Sequence, residues 1–293
     1  MHKAGFVNII GFPNSGKSTL MNALLGERLS IINAKAQTTR HRIMGFLNEE
    51  DCQIVFSDTP GIIDPKYKLQ EGMMGFVEGA LEDADIFLLV MSMNETPEQN
   101  EQLLQKVAGK GIPVIVVVNK VDLTKQESLE EKALWLKEKM PEAILIPCSA
   151  LHGFNVDTVM KAVKELLPEH PAYYDKDALS DRTMRFFASE IIREKILDFY
   201  SQEIPYSCEV VIEEYKEEPK ITKIKALIYV NRDSQKSILI GHQGAALKRV
   251  GTAARKSLEA FLDSKVYLET YVKVAKDWRE NENMLRNLGY FEK

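Results

Sequence analysis

Gly11-Phe12-Pro13-Asn14-Ser15-Gly16-Lys17-Ser18 reads G-x-x-x-x-G-K-S, and its flanks decide how it folds. Ala4–Ile10 before it is a short apolar run with strand character, and Thr19-Leu20-Met21-Asn22-Ala23-Leu24-Leu25 after it opens a helix. A glycine-bearing loop between strand and helix is the setting of a phosphate-binding loop. Gly11 and Gly16 let the backbone curl until successive N–H groups converge on phosphate oxygens at a helix N-terminus. Lys17 then reaches the β- and γ-phosphates, and the Ser18 hydroxyl is placed to ligate Mg²⁺. Phe12, Pro13, Asn14, Ser15 and Thr19 complete the expected contact surface. A turn that matches by chance is the competing explanation.

Three later segments argue against chance. Ile54-Val55-Phe56-Ser57-Asp58-Thr59-Pro60-Gly61 is an apolar strand ending in Asp-x-x-Gly. Asp58 is expected to hold Mg²⁺ through water, and the Gly61 N–H to sense a γ-phosphate, with Thr59, Pro60 and Ile62 alongside. Val114–Val118 is wholly apolar and runs into Asn119-Lys120-Val121-Asp122. A carboxylate there accepts two hydrogen bonds from N1 and the 2-amino group of guanine. Adenine lacks that donor pair, and a site built for it rejects a base that leaves it unpaired. Ile144–Pro147 leads to Cys148 and then Ser149-Ala150-Leu151, where a backbone N–H can meet the guanine oxygen. All four segments end predicted strands, where an open α/β sheet places its ligand.

The chain has 293 residues, 45% of them apolar, enough for two domains with separate cores. Its net charge of −5 conceals an asymmetry. Residues 1–180 carry 18 Lys and Arg against 25 Asp and Glu, whereas Thr222–Arg279 carries 12 against 5. A basic surface is therefore concentrated late in the chain. Cys52, Cys148 and Cys208 are scattered, and the five histidines show no ligand spacing, so neither a disulfide framework nor a zinc site is expected. No run approaches the roughly 18 apolar residues of a spanning helix, and no leader-like segment opens the chain. A cytoplasmic protein is expected, with peripheral contact at the inner face of the cell membrane left open, and a monomer, since no long heptad demands a partner.

Residues 4–167 alternate continuous apolar strands with helices, which predicts a mostly parallel sheet covered on both faces. Strands are expected near Ala4–Ile10, His41–Leu47, Gln53–Asp58, Ile86–Met91, Val114–Asn119 and Ile144–Pro147, with helices at Lys17–Leu25, Pro97–Lys106, Leu129–Lys139 and Val156–Leu167. Two prolines and no periodicity over 168–177 mark a boundary, giving a nucleotide domain at 1–170, a linker at 171–183 and a second domain at 184–293. The second domain opens with a helix at Met184–Tyr200, then strands at Ser207–Tyr215 and Ile221–Val230. Gly241-His242-Gln243-Gly244 precedes a helix at Ala245–Leu262, and a strand follows at Lys265–Val274. A packed helix is expected around Trp278, Leu285, Leu288 and Tyr290. The order α-β-β-α-α-β with a Gly-x-x-Gly loop between the central helices is the layout of a KH RNA-binding domain.

With both halves read, the chain resembles the bacterial Era family of GTPases, in which a P-loop GTPase domain precedes an α+β type II KH domain. The resemblance spans nearly the whole sequence and includes Gln37-Thr38-Thr39-Arg40-His41-Arg42 and Ala188-Ser189-Glu190-Ile191-Ile192-Arg193-Glu194-Lys195. It implies GTP binding and hydrolysis to GDP, recognition of the 3′ end of 16S rRNA, and a role in assembly of the small ribosomal subunit. It also implies that Thr38 or Thr39, with Thr39 preferred, completes the Mg²⁺ shell when GTP is bound. Lys17, Thr39 and Gly61 would serve catalysis. Ile62 stands where Ras-like enzymes keep a water-orienting glutamine, so intrinsic turnover is expected to be slow, on the order of 10⁻⁴ s⁻¹. A potassium ion held by Asn14 is one candidate substitute, and a plain turn asparagine is the other reading.

In the KH loop, Gly241 and Gly244 would let RNA backbone approach, Ile240 would line the groove, and Lys248 and Arg249 would add charge. The family usually keeps a lysine inside this loop, whereas here His242-Gln243 weakens phosphate attraction. The competing reading of the basic half is a module that docks on anionic membrane. Replacing Asp122 by Asn is expected to move preference from guanine to xanthine nucleotides, measured by competition binding.

Overall fold

The structure, a computed structural model, describes residues 2–291. The chain divides into two compact units, residues 1–65 with 73–181 and residues 66–72 with 182–293.

In the first unit, β1 (Lys3–Ile10), β3 (Cys52–Asp58), β4 (Ile86–Ser92), β5 (Val114–Asn119) and β6 (Ile144–Cys148) run parallel, and β2 (Ile43–Asn48) pairs antiparallel with β3. The sheet order is β2-β3-β1-β4-β5-β6. All residues of β3, β4 and β5 are buried, as expected for strands covered on both faces. The covering helices are α1 (Lys17–Leu25), α2 (Lys68–Glu82), α3 (Pro97–Ala108), α4 (Gln126–Lys139) and α5 (Val156–Leu166). The chain builds outward from β1 first to β3 and then to β4. The loops after these strands therefore open at one edge, the switch point of an open α/β sheet.

Local differences from the expected elements have physical causes. β2 begins at Ile43, not His41, because Arg42 is drawn off the strand line into a polar network. Its Nη1 and Nη2 donate to the two oxygens of Asp83 at 2.7 and 2.9 Å, Nη2 also to Asn8 Oδ1 at 3.2 Å, and Nε to Ser57 Oγ at 2.6 Å. Asn8 Nδ2 in turn donates to Ala80 O at 2.6 Å and to Asp83 Oδ1 at 2.7 Å. The end of the 37–42 segment is thus bolted to β1, β3 and the end of α2. Residues 171–181, expected to be linker, cluster with the first unit. Tyr174 stacks on Phe46 with ring centroids 4.0 Å apart, the Gln53 amide bonds the 173–174 backbone, and the Ser180 hydroxyl donates to Met44 O.

The second unit has a three-stranded sheet ordered β7-β8-β9, from β7 (Cys208–Glu218), β8 (Ile221–Val230) and β9 (Val266–Val274). β7 and β8 are antiparallel with a bulge near Glu213, and β8 and β9 are parallel. The core joins α6 (Met184–Phe199), α8 (Asp233–Ile240) and α9 (Ala245–Leu262) to the inward residues Val210, Ile224, Ala226 and Ile228. A single turn, α7 (Ile204–Ser207), precedes β7, and α10 (Glu282–Asn287) closes the unit. Trp278 is fully buried and donates to Ser207 O at 3.0 Å, and the buried Tyr290 hydroxyl bonds Glu209 at 2.9 Å.

Arg42→Ala is expected to cost about 2 kcal/mol in urea unfolding, because it strands the Asn8 and Ser57 groups and the half-exposed Asp83. Arg42→Lys should recover less than half of that, since an ammonium cannot reproduce the planar fork.

Candidate nucleotide site and RNA-binding loop

Close approach of backbones sets the first loop. At Gly11 a Cβ would lie 2.3 Å from Val90 O, and at Gly16 (φ +101°) it would lie 2.1 Å from Asn119 Nδ2. Neither position accepts a side chain. Lys17, the first residue of α1, folds back so that its Nζ donates to Gly11 O at 3.0 Å and Phe12 O at 2.8 Å. Burial pushes its pKa down to about 8, against the pull of the Asp58 carboxylate. The ammonium is held ready beside the loop that would receive phosphate.

Three oxygen donors converge next to it. The Ser18 hydroxyl donates to Asp58 Oδ2 at 2.6 Å and lies 2.9 Å from Thr39 Oγ1, and Thr39 Oγ1 is 3.4 Å from Asp58 Oδ2. Thr38 turns the other way, donating to Lys35 O at 2.6 Å. Burial raises the Asp58 pKa, while the Ser18 bond and the Lys17 charge oppose that rise. The buried Asp58 Oδ1 has no hydrogen-bond partner. Two hydroxyls and a carboxylate with a spare oxygen form a hard donor set of the kind that suits Mg²⁺.

Gly61 lies against Pro13, where a Cβ would come within 2.6 Å of Pro13 Cα, and the Ile62 N–H donates to Gly11 O at 3.1 Å. The Ile62 side chain packs with Phe12 and Met74 on an apolar cluster. It therefore contributes packing and no hydrogen bond to a water. Thr59 is also structural, with its hydroxyl bonded to Ile9 O at 2.7 Å, and Pro60 is buried behind it. Asn14 is exposed in the left-handed region at φ 62°. Ile31, Ile32, Asn33 and Lys35 line the same cleft as Gly16, Lys17 and Thr39. Sequence reading missed these four, because the segment carries no periodicity and its only signal is nearness to Gln37–Thr39.

At the base-binding end, Asn119 acts as a bolt. Its Nδ2 donates to Ser15 O at 2.9 Å, and its Oδ1 accepts from the Ala150 N–H at 3.0 Å. Three loops are thereby tied through one side chain. Lys120 (φ 66°) donates from Nζ to Asn14 O. Val121 and Asp122 sit in a 3₁₀ turn, and the Ser149 hydroxyl donates to Asp122 Oδ1 at 2.5 Å, which holds the Asp122 carboxyl below its usual range. His152 Nε2 stands 3.8 Å from Asp122 Oδ2, and Leu151 is exposed beside it.

In the second unit, α8 ends at Ile240 and the chain turns through Gly241 (φ +71°) and Gly244 (φ +77°) into α9. A Cβ at Gly241 would strike Ala246 Cβ at 2.6 Å. His242 and Gln243 project into solvent at the tip, Ile240 is half-buried, and Ile238, absent from the sequence reading, is 51% exposed beside the loop. Lys248 and Arg249 are exposed on α9, and the Arg249 guanidinium lies 4.9 Å above the Phe199 ring of α6.

A family model described as 50S ribosome-binding GTPase matches residues 6–120, and a KH domain model matches residues 203–279. GTPase Era of Staphylococcus haemolyticus is 44% identical over 293 residues, covering 99% of this chain and 98% of that protein. GTPase Era of Geobacter metallireducens is 43% identical, covering 98% of each. A crystal structure of Era in complex with MgGDPNP and nucleotides 1506–1542 of 16S ribosomal RNA superposes with a TM-score of 0.94 at 39% identity, covering 99% of each chain. A point variant of Aquifex aeolicus Era bound to GDP·AlF4⁻ also gives 0.94 at 39% identity, over 98% of this chain and 99% of that one. Likeness of this extent runs through both units at once, and the chain belongs to the Era family of GTPases.

Proposed function

We propose that this chain binds GTP, hydrolyses it slowly, and binds the 3′ end of 16S rRNA through its KH unit during assembly of the small ribosomal subunit. The convergence of Thr39 on Ser18 and Asp58 beside the buried Lys17 carries the first half of this reading. Ser18 and Thr39 would hold Mg²⁺ directly and Asp58 through water. Bound there, the cation would neutralise charge developing on the β–γ bridge and the γ-oxygens. Backbone N–H groups of Asn14–Thr19 cradle the phosphates, and Lys17 adds a positive charge where negative charge builds in the transition state. The Gly61 N–H would meet the γ-phosphate. Asp122 selects guanine by pairing N1 and the 2-amino group, and Ser149 aligns its carboxylate for that task.

With Ile62 packed on the apolar cluster, no side chain at that position orients the attacking water. A potassium ion at Asn14 is the proposed substitute, because the residue is exposed at the rim of the phosphate cleft. For the RNA half, the turn through Gly241 and Gly244 supports the reading. Its glycine conformations and exposed tip let a sugar-phosphate chain approach, with Ile240 and Ile238 offering apolar surface to unstacked bases. Attraction to an anionic membrane would need none of that loop. Among the described residues no helix is long and apolar enough to cross a membrane.

GTP turnover should be faster in potassium than in sodium buffer at equal ionic strength. Equal rates would remove the ion from the mechanism. A single-stranded RNA matching the 16S 3′ end should bind and lose affinity steeply with salt. Binding to phosphatidylglycerol vesicles with none to that RNA would transfer the basic half to the membrane reading.

A further inference from the structure

Between the end of α6 and the outer side of α9 lies a groove of about 460 Å³, separate from the tip of the glycine turn. Small side chains at Ala245 and Ala253 leave room for it, and Phe199, Lys248, Arg249, Thr252 and Lys256 border it. Ala245, Lys248, Thr252 and Lys256 recur at steps of three and four, so one stripe of α9 faces the groove. The buried stripe of the same helix, Val250, Ala254 and Leu258, lies on its opposite side.

The lining is one-sided in charge. Three cations and no carboxylate border the groove, in a chain whose net charge is −5. Other cations of this unit are neutralised: Arg255 by Glu259, Lys195 by Glu194 and Lys223 by Glu218, each at 2.9 Å. Among the described residues, Lys248, Arg249 and Lys256 form no ion pair. Like charges gathered on one helix repel each other, and a polyanion in the groove would relieve that cost. Lys248 and Lys256 are eight residues apart, about 12 Å along the helix axis, a span suited to more than one phosphate.

Shape and hydrogen bonding narrow the polyanion to a strand of RNA. The Arg249 guanidinium lies 4.9 Å above the Phe199 ring, a cation–π contact that steadies its planar fork at the groove wall. Phe199 is 37% exposed and offers ring surface to a base or a ribose. The Thr252 hydroxyl donates to Lys248 O at 2.8 Å, which leaves its oxygen to accept from a ribose 2′-OH. Ala245 directly follows Gly244, so the groove begins where the glycine turn ends. An anionic membrane presents a flat layer, and a recess between two helices does not fit it.

We propose that this groove is a second RNA contact of the KH unit. It takes sugar-phosphate backbone beyond the segment held at Gly241–Gly244, with Arg249 and Lys256 meeting phosphates and Phe199 meeting a base or ribose. The proposal rests on the reading of the KH unit as an RNA binder.

The test is binding of the full chain to two single strands across a salt series, followed by fluorescence anisotropy. One strand is a minimal match to the 16S 3′ end, and the other is extended by a few nucleotides at both ends. Wild type is expected to bind the extended strand more tightly and with the steeper dependence on salt. Lys256→Ala should weaken the extended strand about fivefold and flatten its log–log salt slope by about 0.7, with the minimal strand unaffected. Lys256→Arg, which keeps the charge, should restore both values. An unchanged affinity and slope for the extended strand in Lys256→Ala overturns the proposal. So does an equal loss on both strands, which would place Lys256 at the glycine turn, or a loss confined to phosphatidylglycerol vesicles. If wild type binds neither strand, the RNA reading of the whole KH unit falls, and the groove falls with it.

Discussion

A buried ammonium beside a buried carboxylate governs the first unit. Lys17 and Asp58 are both withdrawn from water, and burial works against the charge on each. What keeps them there is local. Lys17 is held by two carbonyls of its own loop, and Asp58 by hydroxyls from α1 and from the 37–42 segment. In a low-dielectric cleft, such a pair meets a bound polyanion and cation with far more force than exposed charges would. The surrounding sheet places that cleft at its edge, where the loops after β1 and β3 open.

Rigidity around the cleft comes from a few side chains that each tie several elements. Asn119 joins the loops after β1, β5 and β6, and the space beside it admits only a glycine at position 16. Arg42 does the same at the opposite edge, binding β1, β3 and the end of α2. Between these fixed points, Ile31, Ile32, Asn33, Lys35, Gln37, Thr38 and Thr39 line the cleft. The KH unit differs in kind. Its core is continuous, and its candidate contact surface is an exposed turn in which Ala246 packs against Gly241 and leaves no room there for a side chain.

Most of the chemistry was legible because it is carried by short segments. A phosphate loop needs only local backbone freedom and one lysine, and guanine recognition needs one carboxylate at a strand end. The strands were legible too, since β4 and β5 are apolar until their last residue and β3 has an apolar centre at Ile54–Phe56. α2 was not, because Gly72, Gly75 and Gly79 weaken the helical signal along its length. The stretch 171–181 was obscured for a similar reason: Pro168 and Pro171 and the lack of periodicity suggest a linker, whereas Tyr174 finds a distant aromatic partner in Phe46.

Local sequence alone determined that a nucleotide cleft and a KH-type loop exist, which residues bear the charges, and which base is selected. Tertiary structure decided which of two adjacent threonines turns inward, that Ile62 packs away on an apolar cluster, and that Asn22 on α1 clamps the backbone at 29–30. The division is physical. Backbone conformation and side-chain charge are properties of a few consecutive residues, whereas the direction a side chain faces in a folded core depends on partners tens of residues away.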